Sequence, residues 1–149
     1  MPPDSSLFSL IERKIRAMIV SSMKIVFLNI WGGVRREPLL AFLREQAAST
    51  DFFCLQEVFD SPEAGALTSW GGHADIFSDL KITLPAHIPY YAVSVKDFDG
   101  DEYTDFPLSH GIAIFAKKDI AIQSHGDFFI AGEDGREHPS RENFPHKLQ

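Results

Sequence analysis

Two apolar runs dominate the front of the chain, Lys24-Ile25-Val26-Phe27-Leu28-Asn29-Ile30-Trp31 and Asp51-Phe52-Phe53-Cys54-Leu55-Gln56-Glu57-Val58. Near-continuous apolar runs of this length are the pattern of buried parallel strands. They predict strands over 24–29 and 52–57. Between them Gly32-Gly33 allows a turn, and Leu39, Leu40, Phe42 and Leu43 form an apolar stripe. Pro38 suits a first helical turn, so a helix is expected from 37 or 38 to about 48. A strand-helix-strand order makes the two strands parallel, with a right-handed crossover.

The pattern then loosens. Ser61-Pro62-Glu63 reads as a helix start, interrupted at Gly71-Gly72. A second short helix over 74–84 would turn Ile76, Phe77 and Leu80 toward the sheet, and Pro85 and Pro89 mark a loop. From there the period becomes two. Residues 90–98, 111–117 and 120–130 read as successive antiparallel strands, the last two joined by a turn at Asp119. The expected fold is α/β of the α+β type, a mixed β-sheet with helices on one face.

Composition adds limits. The chain has 149 residues, 44% hydrophobic and 23% charged, with 13 Phe. That is one globular domain with a sizeable core. The formal charge is −7, and the only basic cluster is Arg13, Lys14 and Arg16. Proteins that hold long nucleic acid unaided carry a basic stripe, so the charge counts against a general nuclease. Cys54 is alone, which excludes an intramolecular disulfide, and its strand position suits a buried small hydrophobe. No run approaches the ~20 apolar residues of a membrane span. Residues 1–22 put their cations after the start and before a short apolar patch, unlike a secretory leader. They are expected to be an N-terminal extension, disordered or a mis-assigned start upstream of Met18 or Met23, with a weak amphipathic helix over 7–19 as the alternative. The domain then occupies 23–149, in a cytoplasmic protein.

The chemistry sits where the first two strands end. Asn29 and Glu57 each follow an apolar strand, and open α/β sheets place ligands beyond the C-terminal ends of their strands. An amide oxygen and a carboxylate suit a hard cation, Mg²⁺, Mn²⁺ or Ca²⁺, and not zinc. The bland alternatives are a turn amide and a surface carboxylate. Trp31 either packs over this site or joins the core. Gln56 points to the opposite face from Glu57 and reads as structural. Six His are scattered without metal spacing, and His110, just before a strand, is a candidate catalytic residue lining the cleft. Asp97-Phe98-Asp99-Gly100-Asp101-Glu102 imitates the start of a calcium loop. Its Gly falls at the fourth position and Leu108 replaces the closing Glu, so an acidic hairpin tip turning at Asp99-Gly100 is the better reading.

These residues resemble the endonuclease/exonuclease/phosphatase superfamily, the metal-dependent phosphodiesterases and phosphatases related to pancreatic deoxyribonuclease and exonuclease III. Asn29-Ile30-Trp31 matches its first strand end, and Leu55-Gln56-Glu57-Val58 matches its second. His110-Gly111-Ile112-Ala113-Ile114-Phe115-Ala116-Lys117 matches its Gly-apolar-Ala-Ile-Phe strand. The resemblance covers about residues 24–149. It implies that Glu57 and Asn29 bind Mg²⁺ (or Mn²⁺), and that the parent protein hydrolyses phosphate esters by in-line attack of water. The substrate is a small molecule, a lipid or a nucleic acid, with the acidic charge favouring the first two. Near the end, Arg141 and His146 are candidates for binding the substrate phosphate.

Motifs of the family's second half have no match. The string nearest to its Gly-Asp-x-Asn is Gly126-Asp127-Phe128-Phe129, which lacks the Asn, and there is no Asp-His pair. The resemblance therefore implies an N-terminal half, half of a four-layered α/β sandwich, completed by a missing C-terminal half or a partner chain. Alone it is expected to be inactive or nearly so. A non-catalytic fragment or a partner-dependent binding module is the alternative.

Overall fold

The computed structural model describes residues 22–127. The N-terminal extension, Arg141, His146 and the far end of the last expected strand lie outside the described residues. The elements run β1 (Ile25–Asn29), a 3-10 turn (Trp31–Gly33), α1 (Arg36–Gln46), β2 (Phe52–Asp60), α2 (Ile76–Thr83), β3 (His87–Lys96) and β4 (Ser109–Lys117). They build a four-stranded sheet in the order β1-β2-β4-β3. β1 and β2 are parallel, and β4 is antiparallel to both of its neighbours. This is the mixed α/β fold that the pattern predicts.

Strand alternation divides the sheet into two faces. Val26, Leu28, Phe53, Leu55, Ala113 and Phe115 turn toward the helices. α1 contributes Leu39, Leu40 and Leu43 to that core, and α2 contributes Ile76, Phe77 and Leu80. Each fully buried side chain of this size stabilises the fold by about 1.5–3 kcal/mol relative to exposure. Phe77 packs edge-on against Phe115, with ring centroids 5.9 Å apart. The two helices are also clamped polar to polar, since Arg36 Nε and Nη2 donate to the Asp79 carboxylate at 2.7 and 2.6 Å.

The opposite face is uncovered among the described residues. Ile25, Phe27, Ile88, Ile112 and Ile114 are all exposed there, Phe27 by 74%. Cys54 lies in the same layer, in register with Phe27 and Ile114, and is half-buried where full burial was expected. Both faces of β1 and β2 are apolar, as in a parallel strand covered twice, but the described chain covers only one.

Four expectations need correction. Pro89, expected in a loop, lies inside β3 opposite Phe115. Ser61 Oγ accepts the Glu63 N–H at 3.1 Å as a cap would, yet no helix follows. Gly65 and Gly71 take left-handed φ of 79° and 87°, and the segment folds into a loop closed by a Leu67–His73 bridge. Residues 121–127 form no strand. β4 already has a neighbour on each side, so the chain that follows it has no free hydrogen-bonding edge of β4 to pair with. Finally, β2 does not stop at Glu57 but continues to Asp60.

Candidate active site

Glu57 sits at an irregularity inside β2. Leu55 pairs with Ala113 and Val58 with Gly111, so Gln56 and Glu57 together oppose Ile112. This two-against-one count is a β-bulge, a device that re-aims a side chain. Glu57 adopts φ 55°, a left-handed conformation uncommon for a residue with a Cβ. A second irregularity lies across β4, where β3 shifts register between Val93 and Val95. β4 carries Gly111 at that point. A Cβ there would stand 2.1 Å from the Ala92 carbonyl oxygen, so only glycine permits the close approach.

The bulge brings Glu57 to Asn29. Asn29 Nδ2–H donates to Glu57 Oε1 at 2.7 Å. Asn29 Oδ1 in turn accepts the Trp31 backbone N–H at 2.8 Å. The amide therefore has its oxygen toward the turn and its nitrogen toward the carboxylate. The resemblance implies that Asn29 and Glu57 both bind a metal, and the structure places their side chains in direct contact. Asn29 continues the exposed series Ile25, Phe27, Asn29, so the pair stands at the end of the uncovered sheet face.

The turn after Asn29 is built for this placement. Trp31, Gly32 and Gly33 all have positive φ, 49°, 52° and 74°. A Cβ on Gly32 would collide with the Phe59 and Trp70 rings at 2.5 and 2.7 Å. The His73 N–H donates to the Gly32 carbonyl at 2.7 Å, which ties the 61–75 loop to the site. Trp31 is not a core residue. It is 55% exposed and lies nearly parallel to Trp70, centroids 6.4 Å apart.

His110 is half-buried behind Glu57, its ring edge-on to Phe59 with centroids 4.7 Å apart. Its Nδ1 is buried without a hydrogen-bond partner. Burial lowers its pKa below the usual histidine value, against the opposing pull of the Glu57 and Asp99 carboxylates.

Reading the chain missed the role of Asp99 as a tie between two loops. It lies in the expected turn at Asp99-Gly100, closed by a Phe98–Tyr103 bridge, and is 1% exposed. Its Oδ2 accepts from Ser69 N–H and Oγ at 3.1 and 2.7 Å, and its Oδ1 accepts from the Asp101 and Glu102 N–H groups at 2.8 and 2.9 Å. Burial alone would raise its pKa, but these hydrogen bonds outweigh it and the net shift is downward. Asp99 joins the 97–104 turn to the 61–75 loop, and the only hint available in sequence was the Asp-Gly turn pair. An open cavity of about 550 Å³ begins where β2 ends, lined by Asp60, Lys96, Asp97 and Ser109.

Among the described residues no three His, Cys, Asp or Glu side chains stand together as a ready metal site. Glu57 Oε2 takes no hydrogen bond from the described protein groups.

No curated protein matches the chain. A solved structure, an endonuclease/exonuclease/phosphatase family protein from Leptotrichia buccalis C-1013-b, superposes with a TM-score of 0.45 at 17% identity. The alignment covers 64% of this chain and 37% of that one, so this chain spans well under half of that protein's length. The profile of the Endonuclease/Exonuclease/phosphatase family matches residues 26–145, a span that takes in Asn29, Glu57 and the β4 strand. With a match over most of its length, the chain belongs to the endonuclease/exonuclease/phosphatase family.

Proposed function

We propose that this chain is the metal-binding part of a divalent-metal-dependent phosphoesterase, with Glu57 holding Mg²⁺ or Mn²⁺. The observation that carries this reading is the Asn29–Glu57 contact at a bulge, where Glu57 and Trp31 both hold left-handed backbone. Such strain persists where function requires it. A single carboxylate fits Mg²⁺, which keeps several waters and is commonly held by one or two carboxylates and the substrate phosphate.

In this reading Glu57 Oε2 is the protein's ligand, and Asn29 fixes the carboxylate through Oε1. The Trp31 N–H fixes Asn29 in turn. The second N–H of Asn29 Nδ2 is available to a phosphate oxygen. A bound cation would polarise the phosphoryl group and stabilise charge on the leaving oxygen during in-line attack by water.

The open apolar face adds to the proposal. Phe27 and its neighbours end at Asn29, so a second sheet laid on that face would bring its own residues to the rim of the site. Further chain or a partner supplies the remaining catalytic groups, and this chain alone turns over little or no substrate. Calorimetric titration with Mn²⁺ tests the central point. The wild-type chain should bind it and Glu57→Gln should not; equal binding by both would overturn the assignment.

A further inference from the structure

Trp31 spends conformational freedom without a matching gain in packing. Its backbone is left-handed at φ 49°, where glycine would be relaxed. The residue is 55% exposed, and its ring lies near-parallel to that of Trp70 at 6.4 Å and 14°. Trp70 is the anchored member of that pair. It packs on Phe59 with centroids 5.5 Å apart, and its ring would lie 2.7 Å from a Cβ on Gly32. One indole is held, and it leaves the other on display.

The displayed ring is also fixed relative to the reaction centre. The Trp31 N–H bonds Asn29 Oδ1 at 2.8 Å, and Asn29 Nδ2 bonds Glu57 at 2.7 Å. Ring, amide and carboxylate form one connected unit. We propose that Trp31 is a stacking platform for a flat heteroaromatic ring of the substrate, so that the site takes a small nucleotide-type phosphate ester. This rests on the phosphoesterase reading of Glu57.

Other ligand chemistries fit less well. A formal charge of −7 with no basic stripe among the described strands does not suit a long polyanion. A single exposed indole offers a stacking surface for one ring. A quaternary ammonium is held in a cage of aromatic walls set at angles to one another. Trp31 and Trp70 lie within 14° of parallel and present a flat surface instead.

The chain has 2 Trp, so Trp70→Phe leaves Trp31 as the only indole reporter. That variant, and the wild-type chain beside it, should be titrated with adenosine monophosphate, ribose phosphate and phosphocholine while indole emission is recorded. Adenosine monophosphate should quench saturably and ribose phosphate should not. By equilibrium dialysis, Trp31→Ala should bind adenosine monophosphate roughly tenfold more weakly, and Trp31→Phe should lose less. Equal quenching by ribose phosphate, stronger quenching by phosphocholine, or unchanged affinity in Trp31→Ala would overturn the platform. Mn²⁺ binding separates the two proposals. If Glu57 binds Mn²⁺ and adenosine monophosphate does not quench, the platform alone fails. If Mn²⁺ binding does not depend on Glu57 but the nucleotide quenches, the metal reading fails and the platform stands.

Discussion

The Asn29 side-chain nitrogen lies 2.7 Å from Glu57 Oε1, joining the end of β1 to a bulge in β2. The two residues are 28 positions apart, and Asn29 pairs in register with Gln56 rather than with Glu57. The bulge makes the contact. In a regular strand Gln56 and Glu57 would point to opposite faces. The extra residue and the left-handed φ of Glu57 turn its carboxylate toward Asn29 instead.

Removing the amide should loosen the carboxylate without unfolding the chain. Asn29→Ala is expected to weaken Mn²⁺ binding about tenfold, as for other residues that orient a ligand. The contact is exposed, so the stability loss should stay under about 1 kcal/mol. Calorimetry and urea unfolding of the same preparation measure both.

Backbone strain at Glu57 predicts an opposition between stability and function. Glu57→Gly should stabilise the chain by about 1 kcal/mol, because glycine has no Cβ to penalise the left-handed region. It should also abolish Mn²⁺ binding. A lower melting temperature for Glu57→Gly than for wild type would show that the strain is not there.

Gly111 should be intolerant for a different reason. Its Cβ would meet the Ala92 carbonyl at 2.1 Å, and the obstacle is backbone that cannot rotate away. Gly111→Ala should cost about 3 kcal/mol, the upper range for overpacking. Gly126→Ala, which meets nothing within 4 Å, is the matched control and should melt with wild type.

Acid should weaken the loop that Asp99 ties down. The folded pKa of Asp99 is lowered, so the unfolded chain binds more protons in the interval between the two values. Its stabilisation is complete above the unfolded value of about 3.9 and is lost as pH falls through the folded value. Urea midpoints for wild type and Asp99→Asn across the acid range test this. The wild-type curve should fall more steeply below that value, and the variant should be less stable at neutral pH.

The uncovered sheet face should drive association. Phe27 is 74% exposed on β1, an edge strand. Phe27→Ser should shift the purified chain toward monomer in analytical ultracentrifugation, with a stability change within about 0.5 kcal/mol, as for an exposed position. An unchanged size distribution would place the association elsewhere.

The apolar pattern by itself determined the parallel pairing of β1 and β2, the helix between them and the inward stripes of Leu39, Leu40, Leu43, Ile76, Phe77 and Leu80, while Phe42 of the expected stripe is exposed. Those features follow from period and from burial of one face, which are local properties of sequence. It also marked Asn29 and Glu57 as the polar residues that interrupt the two strands. Only the tertiary structure decided how they act together. The bulge depends on β4 supplying Ile112 alone against Gln56 and Glu57, and on Gly111 admitting the backbone of β3. The same holds for residues 121–127, which form no strand beside the already paired β4, and for Asp99, which is buried by a loop 30 residues away. Pairing, register and burial between distant segments are set by the whole sheet closing at once, and no single stretch of sequence carries them.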